Sequence, residues 1–190
     1  MNNKEKIETF SKELGYIQND SIRKFVEKAL TVIPDYFYEV PASSTGKYHP
    51  SYALGEGGLV RHTRAAASIA YELLRLDMFT YTQDQQDMMI AALILHDTYK
   101  SGLSHGKFTV TEHPIIAAEQ CAKNTELNDI ISIEERQFIS NCISTHMGQW
   151  TQDFKTHKDV LDKPKTKYQK FVHLCDYLAS RKCLEYNFNV

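Results

Sequence analysis

The sequence predicts an all-α fold, a single-domain helical bundle, and three observations support that class. Apolar residues recur at helical spacing through most of the 190 residues. Recognisable start and stop signals bound these periodic segments, and the alternating pattern of strands is scarce. Hydrophobic residues make up 42% of the chain and charged residues 24%, as in globular proteins. We therefore expect one domain over residues 1–190, a length that can bury a sizeable core.

The expected helices follow from apolar periodicity and from the residues at their ends. Pro34 ends the second helix, because proline cannot donate a backbone hydrogen bond, and Pro114 suits a first helical turn. Ser132 and Glu135 form a capping box ahead of another helix, and Gly148 lies just past its end. The predicted helices cover residues 2–14, 19–33, 59–76 and 82–96, a short segment opening at Pro114, a segment ending at His146, and residues 165–185.

Between residues 35 and 59 the helical pattern breaks. Pro41, Gly46, Pro50 and the glycine-rich run 55–58 punctuate an aromatic segment. A connection of this length inside a compact domain is often functional. The sequence thus divides into N-terminal helices over about 1–34 and a functional core over about 55–185.

Charge and cysteine usage exclude several classes of protein. The formal net charge of -2 provides no global basic field, so we expect no long nucleic acid as a partner. The N-terminus is too charged for a signal peptide, and no apolar run approaches transmembrane length. A cytoplasmic protein without a membrane partner is expected. The four cysteines include no C-x-x-C pair and lie in apolar, helical contexts, which predicts buried reduced thiols.

Histidines and aspartates stand at the ends of the predicted helices. His62 lies in a first turn, the apolar run 91–95 ends in His96-Asp97, and Asp176 lies among apolar residues of the last helix. His113 precedes Pro114, and His146 ends the capped helix. A single histidine of this kind can simply cap its helix, and that interpretation stays open for each. A buried carboxylate, however, needs a positive partner, and a metal ion is one.

Imidazole nitrogen and carboxylate oxygen together suit divalent metals such as Mn, Fe, Ni, Zn or Mg. An aspartate can use both of its oxygens and bridge two such ions. Two ions held a few ångströms apart activate water for attack on phosphorus. The residue types therefore favour phosphoryl chemistry if these side chains converge.

The order of His62, His96-Asp97 and Asp176 resembles the H…HD…D signature of the HD-domain metal-dependent phosphohydrolases. The resemblance covers about residues 55–185 and extends to the local contexts GEGGLVRHT, AALILHDTYK, EHP, STHMGQW and VHLCDYLASR. It implies a helical bundle in which His62, His96, Asp97 and Asp176 bind one divalent metal ion.

The resemblance also implies a second ion. Some branches of the family bind it through two histidines between the doublet and the final aspartate, and His113 and His146 stand at those positions. Asp97 would then contact both ions. The GYP motif of the cyclic-dinucleotide branch is absent from this sequence.

Further polar residues are candidates for contacting a substrate. Lys100 occupies the lysine position of HD-x-x-K in many relatives and can hold a phosphate oxygen in the transition state. His105, on the next loop, can supply a proton, and Lys107 can contact phosphate. Arg181 can clamp a phosphate, and Trp150 can stack on a base.

Each of these five residues also has an interpretation without function. Lys100 can be an exposed lysine that favours the end of a helix dipole, and the others can be loop, surface or core residues. We interpret His49, His157 and His173 as bystanders, with His173 close enough in sequence to support Asp176.

The resemblance implies a metal-dependent phosphohydrolase that cleaves a phosphoester or phosphoanhydride bond of a phosphorylated small molecule, above all a nucleotide. Two alternatives stay open. One is a phosphodiesterase or 3′–5′ exonuclease acting on short oligonucleotides or cyclic nucleotides. The other is a non-catalytic nucleotide-binding module with a structural metal. A homo-oligomer is compatible with all three of these functions.

Overall fold

A computed structural model describes residues 1–184 of the chain, and within these residues the protein forms eight α-helices and three short 3₁₀ helices. The α-helices are α1 (Asn3–Glu8), α2 (Ser11–Leu14), α3 (Asp20–Val32), α4 (Gly58–Leu74), α5 (Gln83–Leu95), α6 (His113–Lys123), α7 (Ile133–Ser144) and α8 (Lys167–Ala179). The 3₁₀ helices are Asp35–Tyr38, Ser51–Ala53 and Thr125–Leu127. The described part of the chain contains one isolated β-bridge, between Gln152 and Asp159, and no sheet. The predicted all-α class is confirmed.

Helix α5 lies at the centre of the fold. Every residue from Asp87 to Leu95 is buried, and the helix contacts α3, α4, α7 and α8. A helix that is apolar on all sides is stable only when other helices cover it. The end of α5, and the His96-Asp97 doublet that follows it, therefore lie in the middle of the domain.

Two predicted helices differ from the observed ones. The helix predicted over 2–14 is broken between α1 and α2, where Phe10 leaves the helical conformation. Its ring is fully buried and stacks against Phe37 at 6.1 Å, so core burial outweighs the local helical pattern. The last helix ends at Ala179, where the Ser180 hydroxyl donates to the Tyr177 carbonyl oxygen. Glu185, the predicted end, lies outside the described residues.

The predicted capping box ahead of α7 is present. The Glu135 backbone amide donates to Ser132 Oγ at 3.2 Å, and the Ser132 amide donates to Glu135 Oε2 at 2.7 Å. Together these bonds satisfy two backbone donors that the helix itself leaves free.

Three of the four cysteines, Cys121, Cys142 and Cys175, are buried, as expected. Burial raises the pKa of Cys121 to about 11 and that of Cys142 to about 12, which keeps these thiols protonated. Cys183 differs from the prediction, because it lies beyond the end of α8 and is exposed. No helix within residues 1–184 combines the length and the apolar character needed to cross a membrane.

The irregular segment before α4 is fastened to the start of that helix. The Gly57 amide donates to the Glu39 carbonyl at 2.8 Å, and the Leu59 amide donates to the Val40 carbonyl at 2.9 Å. At Gly58 the backbones approach so closely that a Cβ would lie 2.3 Å from the Ala53 carbonyl oxygen. This contact fixes the beginning of α4 and, one turn later, His62.

Gly58→Ala is expected to destabilise the protein by about 3 kcal/mol, because the new methyl group overlaps backbone atoms that cannot rotate away. Gly55→Ala is the matched control. Its Cβ meets nothing within 4 Å, so only the left-handed backbone (φ +71°) costs about 1 kcal/mol. Urea unfolding measures both free energies, and equal losses would contradict the close-contact explanation.

Candidate metal centre

The six side chains predicted as metal ligands meet in the middle of the helical assembly. They come from three helix ends and two helix interiors: His62 from α4, His96 and Asp97 just after α5, His113 at the start of α6, His146 just after α7, and Asp176 in α8. The side chain of Asp176 is 16% exposed, and the other five are almost fully buried. Asp176 is therefore the one of the six whose side chain is partly exposed.

One group of atoms, here called the first cluster, gathers around Asp176. His62 Nε2 lies 2.9 Å and His96 Nε2 lies 3.4 Å from Asp176 Oδ1. Asp97 Oδ2 lies 3.7 Å from His62 Nε2 and 3.4 Å from His96 Nε2. Two imidazoles and two carboxylates thus converge on one point.

The other oxygen of Asp97 faces a second cluster. Asp97 Oδ1 lies 3.0 Å from His113 Nε2 and 3.5 Å from His146 Nε2. The two histidine Nε2 atoms are 3.2 Å apart. Asp97 therefore stands between the two clusters and directs one oxygen to each, which is the arrangement a bridging carboxylate requires.

Backbone carbonyl groups orient three of the four imidazoles. In His96, His113 and His146, Nδ1 donates to the carbonyl oxygen three residues earlier in the chain, at 2.6, 2.7 and 2.8 Å. A carbonyl oxygen can only accept, so each of the three rings carries a hydrogen on Nδ1, and a ring that is neutral presents its lone pair at Nε2. This tautomer, fixed by its other nitrogen, is the one that binds metals through Nε2.

The charges of the centre support one another. Burial alone would raise the pKa values of Asp97 and Asp176. Lys100 and His96 nevertheless hold the pKa of Asp97 well below its usual range. His62 and His96 do the same for the pKa of Asp176. Burial alone would lower the pKa of His96, but the two carboxylates outweigh it and raise that pKa to about 10. In the metal-free protein the carboxylates thus hold a proton on His96 Nε2, which a metal ion bound at that nitrogen would replace.

The donor set fits a divalent metal ion. Among the described residues, His96 Nε2 and Asp97 Oδ1 are buried without a hydrogen-bond partner. His113 and His146 already use their Nδ1 hydrogens, so in the neutral rings the Nε2 lone pairs face each other and Asp97 Oδ1. A cation between these atoms would remove that repulsion. His62, His96 and Asp176 form one group of convergent ligand atoms, and His96, Asp97 and His146 form another.

Lys100 connects the centre to a cleft. Its ammonium forms an ion pair with Asp97 Oδ2, and its side chain is 13% exposed. The cleft has a volume of about 190 Å³, and Lys100 lines it with His105, Lys107 and Ser44. The structure therefore brings together three of the predicted substrate-side residues.

The loop that carries His105 is held by Tyr36. The Tyr36 hydroxyl donates to the Gly102 carbonyl at 2.7 Å and accepts from the Ser101 amide at 3.3 Å. The His105 ring stacks on the Tyr36 ring at 4.5 Å. His105 itself has a left-handed backbone (φ 52°), so this stacking offsets some local strain.

Trp150 and Arg181 both pack on Tyr177, and neither lines the Lys100 cleft. Trp150 is 45% exposed and stacks on Tyr177 at 5.8 Å. The Arg181 guanidinium lies 4.2 Å from the centre of the same ring and donates to Ser180 Oγ at 2.7 Å. Because Tyr177 follows Asp176, this stack adjoins the first cluster, but its members are not among the residues that line the Lys100 cleft.

Two histidines interpreted as bystanders contact the centre. His173 Nδ1 donates to the His146 carbonyl at 2.7 Å, so His173 supports the second cluster. The His49 ring packs edge to face on His62 at 4.8 Å. Burial, with His62 and Lys100 nearby, lowers the pKa of His49 to about 3. The sequence signal for His49 was its place in a long irregular connection.

Imidazoles and carboxylates enclosed in this way by a helical bundle define a candidate metal centre. The family model of the HD domain matches residues 59–181, so the chain belongs to the HD domain family. All six predicted ligands lie within the matched residues, and His49 lies before them. None of the curated proteins compared with the chain matches it. The comparison with solved structures gives no match either.

We expect His146 in the metal-free protein to be neutral at pH 7 with its hydrogen on Nδ1, because burial lowers its pKa to about 4. The unfolded chain takes up this proton near pH 6.5. Protonation therefore favours unfolding progressively as the pH falls from about 6.5 to about 4. Two-bond ¹H–¹⁵N NMR, assigned with His146→Gln, measures the tautomer and midpoint. Hydrogen on Nε2, or a midpoint near 6.5, would contradict this prediction.

Proposed function

We propose that the protein is a phosphohydrolase that uses two divalent metal ions to cleave a phosphoester or phosphoanhydride bond of a nucleotide. The observation that carries the proposal is the position of Asp97, whose two oxygens face two separate histidine clusters. A structural site for one ion has no need of a carboxylate shared in this way. Membership of the HD domain family supports the metal-dependent hydrolase class.

Each ion would have its own ligands. His62, His96, Asp97 and Asp176 would hold one, and His113, His146 and Asp97 the other. Bound divalent ions supply two things, a nucleophilic water at neutral pH and neutralisation of the negative charge on phosphate. Burial of five of the six side chains excludes bulk water, which strengthens every charge interaction at the centre.

Lys100 would hold the phosphate of the substrate. An ammonium has three hydrogens to donate. Lys100 gives one to Asp97 and lines the cleft with the rest of its side chain. It can therefore contact a phosphate oxygen while it remains beside the carboxylate that would bridge the ions. Such a contact lowers the barrier when charge on that oxygen grows in the transition state.

The size of the cleft favours a small substrate. A cleft of about 190 Å³ is smaller than the usual site for a drug-sized ligand, and it fits a phosphate group with part of a sugar. His105 and Lys107 would contact the phosphate or leaving group there. The exposed ring of Trp150, stacked on Tyr177 beside Arg181, would hold a nucleobase.

The second candidate is a phosphodiesterase or 3′–5′ exonuclease on short oligonucleotides or cyclic nucleotides. Trp150 and Tyr177 stack on each other without lining the Lys100 cleft, which favours it, because a diester carries a group on each side of its phosphate. A non-catalytic nucleotide-binding module with a structural metal is distinguished from both by its lack of turnover. Assembly into a homo-oligomer stays a prediction.

The purified protein is expected to contain about two transition-metal ions per chain. His146→Ala should retain about one, because the ligands around Asp176 are unchanged, and Asp97→Ala should retain fewer than either. Elemental analysis measures these ratios, with His157→Asn, a change in an exposed loop, as the control. One ion or none in the unchanged protein would contradict the two-metal proposal.

A screen of nucleoside mono-, di- and triphosphates, dinucleotides and cyclic nucleotides with Mn²⁺ tests catalysis. With the best substrate, we expect Lys100→Met to lower kcat/KM about 100-fold, through loss of a preorganised charge. Lys123→Met, which removes an exposed lysine paired with Glu119, should leave kcat/KM unchanged.

The same screen has two outcomes that would overturn the proposal. One is the absence of turnover for every compound. The other is an Asp97→Ala variant that circular dichroism shows to be folded and that remains as active as the unchanged protein.

A further inference from the structure

His62 differs from the other three imidazoles of the centre in the way its ring is held. His96, His113 and His146 lie at helix ends, where the carbonyl three residues earlier accepts a hydrogen bond from Nδ1. His62 lies inside α4, whose carbonyls already accept from backbone amides of the helix. Its Nδ1 is buried and has no hydrogen-bond partner among residues 1–184.

His49, which packs on His62, also has a buried nitrogen without a hydrogen-bond partner among the residues that the structure describes. His49 lies edge to face on His62, with ring centres 4.8 Å apart and planes 82° apart. His49 Nδ1 is also buried without a partner in the described part of the chain. Unsatisfied buried polar atoms are rare in native proteins and need an explanation. Here two such nitrogens occur on two rings that touch, and one imidazole can donate what the other accepts through one bridging water.

Hydrogen bonds on both sides of His49 fasten the segment that carries it. Pro50 follows it, and the Ala42 amide donates to the Ala53 carbonyl at 3.0 Å. From the other side, the Arg61 guanidinium donates to the carbonyl oxygens of Tyr52 and Leu54. Since Arg61 precedes His62, the segment carrying His49 and the turn of α4 carrying His62 are tied together.

We propose that His49 is a positioning residue, whose imidazole completes the hydrogen bonding of His62 and fixes that ring so that Nε2 faces Asp176. In this proposal His49 acts on the ion only through His62, the ring against which it packs. The inference rests on the proposed function, in that it requires an ion at His62. It assigns a role to a residue outside the part of the chain that the family model matches.

Calorimetric titration of the metal-free protein with Mn²⁺ tests this role. We use a His146→Ala background, in which the ligands around Asp176 remain. His49→Phe keeps a flat ring against His62 but removes both nitrogens, and it should weaken Mn²⁺ binding about 10- to 100-fold. His49→Asn replaces Nδ1 with an amide of similar reach and should stay within about 3-fold of the background affinity. His157→Asn is the control and should leave the affinity unchanged.

Each further outcome has one meaning. If the unchanged protein binds no Mn²⁺, both the proposed function and this inference are wrong. If it binds Mn²⁺ and His49→Phe binds equally well, only the inference is wrong. It is also wrong if His49→Asn is as weak as His49→Phe, or if His49→Phe lowers the midpoint of thermal unfolding by more than about 5 °C, since packing would then account for the loss.

Discussion

The structure depends on one buried charge, the carboxylate of Asp97 at the end of the central helix. An ionised carboxylate without water around it costs several kcal/mol unless positive groups and hydrogen-bond donors surround it. The fold provides them by turning four histidines and Lys100 toward it. The helices of the domain can be understood as the supports that bring these groups to one carboxylate.

The position of the histidines at helix ends explains how one short helical chain builds such a centre. The last carbonyl groups of a helix have no partner within the helix. At His96 and His146 these carbonyls accept the Nδ1 hydrogen and so fix the tautomer of the ring. Each helix therefore delivers both a side chain and the backbone group that orients it. His62, in a helix interior, needs an orienting group from elsewhere in the chain.

Much of this arrangement could be predicted from the sequence, because apolar periodicity locates helices and polar residues that interrupt it are conspicuous. The convergence of the doublet with Asp176 follows from that pattern together with the family resemblance. The break at Phe10 and the exposure of Cys183 could not be predicted, since each depends on which distant residues cover it. The role of His49 is of the same kind. Its contact with His62 depends on how the irregular segment folds back on α4, and no local pattern distinguishes it from an ordinary loop histidine.

The stack of Trp150 on Tyr177 has a practical consequence. Trp150 is the only tryptophan in the sequence, and it lies against the residue that follows Asp176. Its indole is partly exposed, and the His173 ring, which contacts the backbone at His146, is 6.0 Å away. The protein thus carries its one tryptophan fluorophore beside the residues of the candidate metal centre. Changes in its emission would report binding or rearrangement near Tyr177 and His173 without any added label.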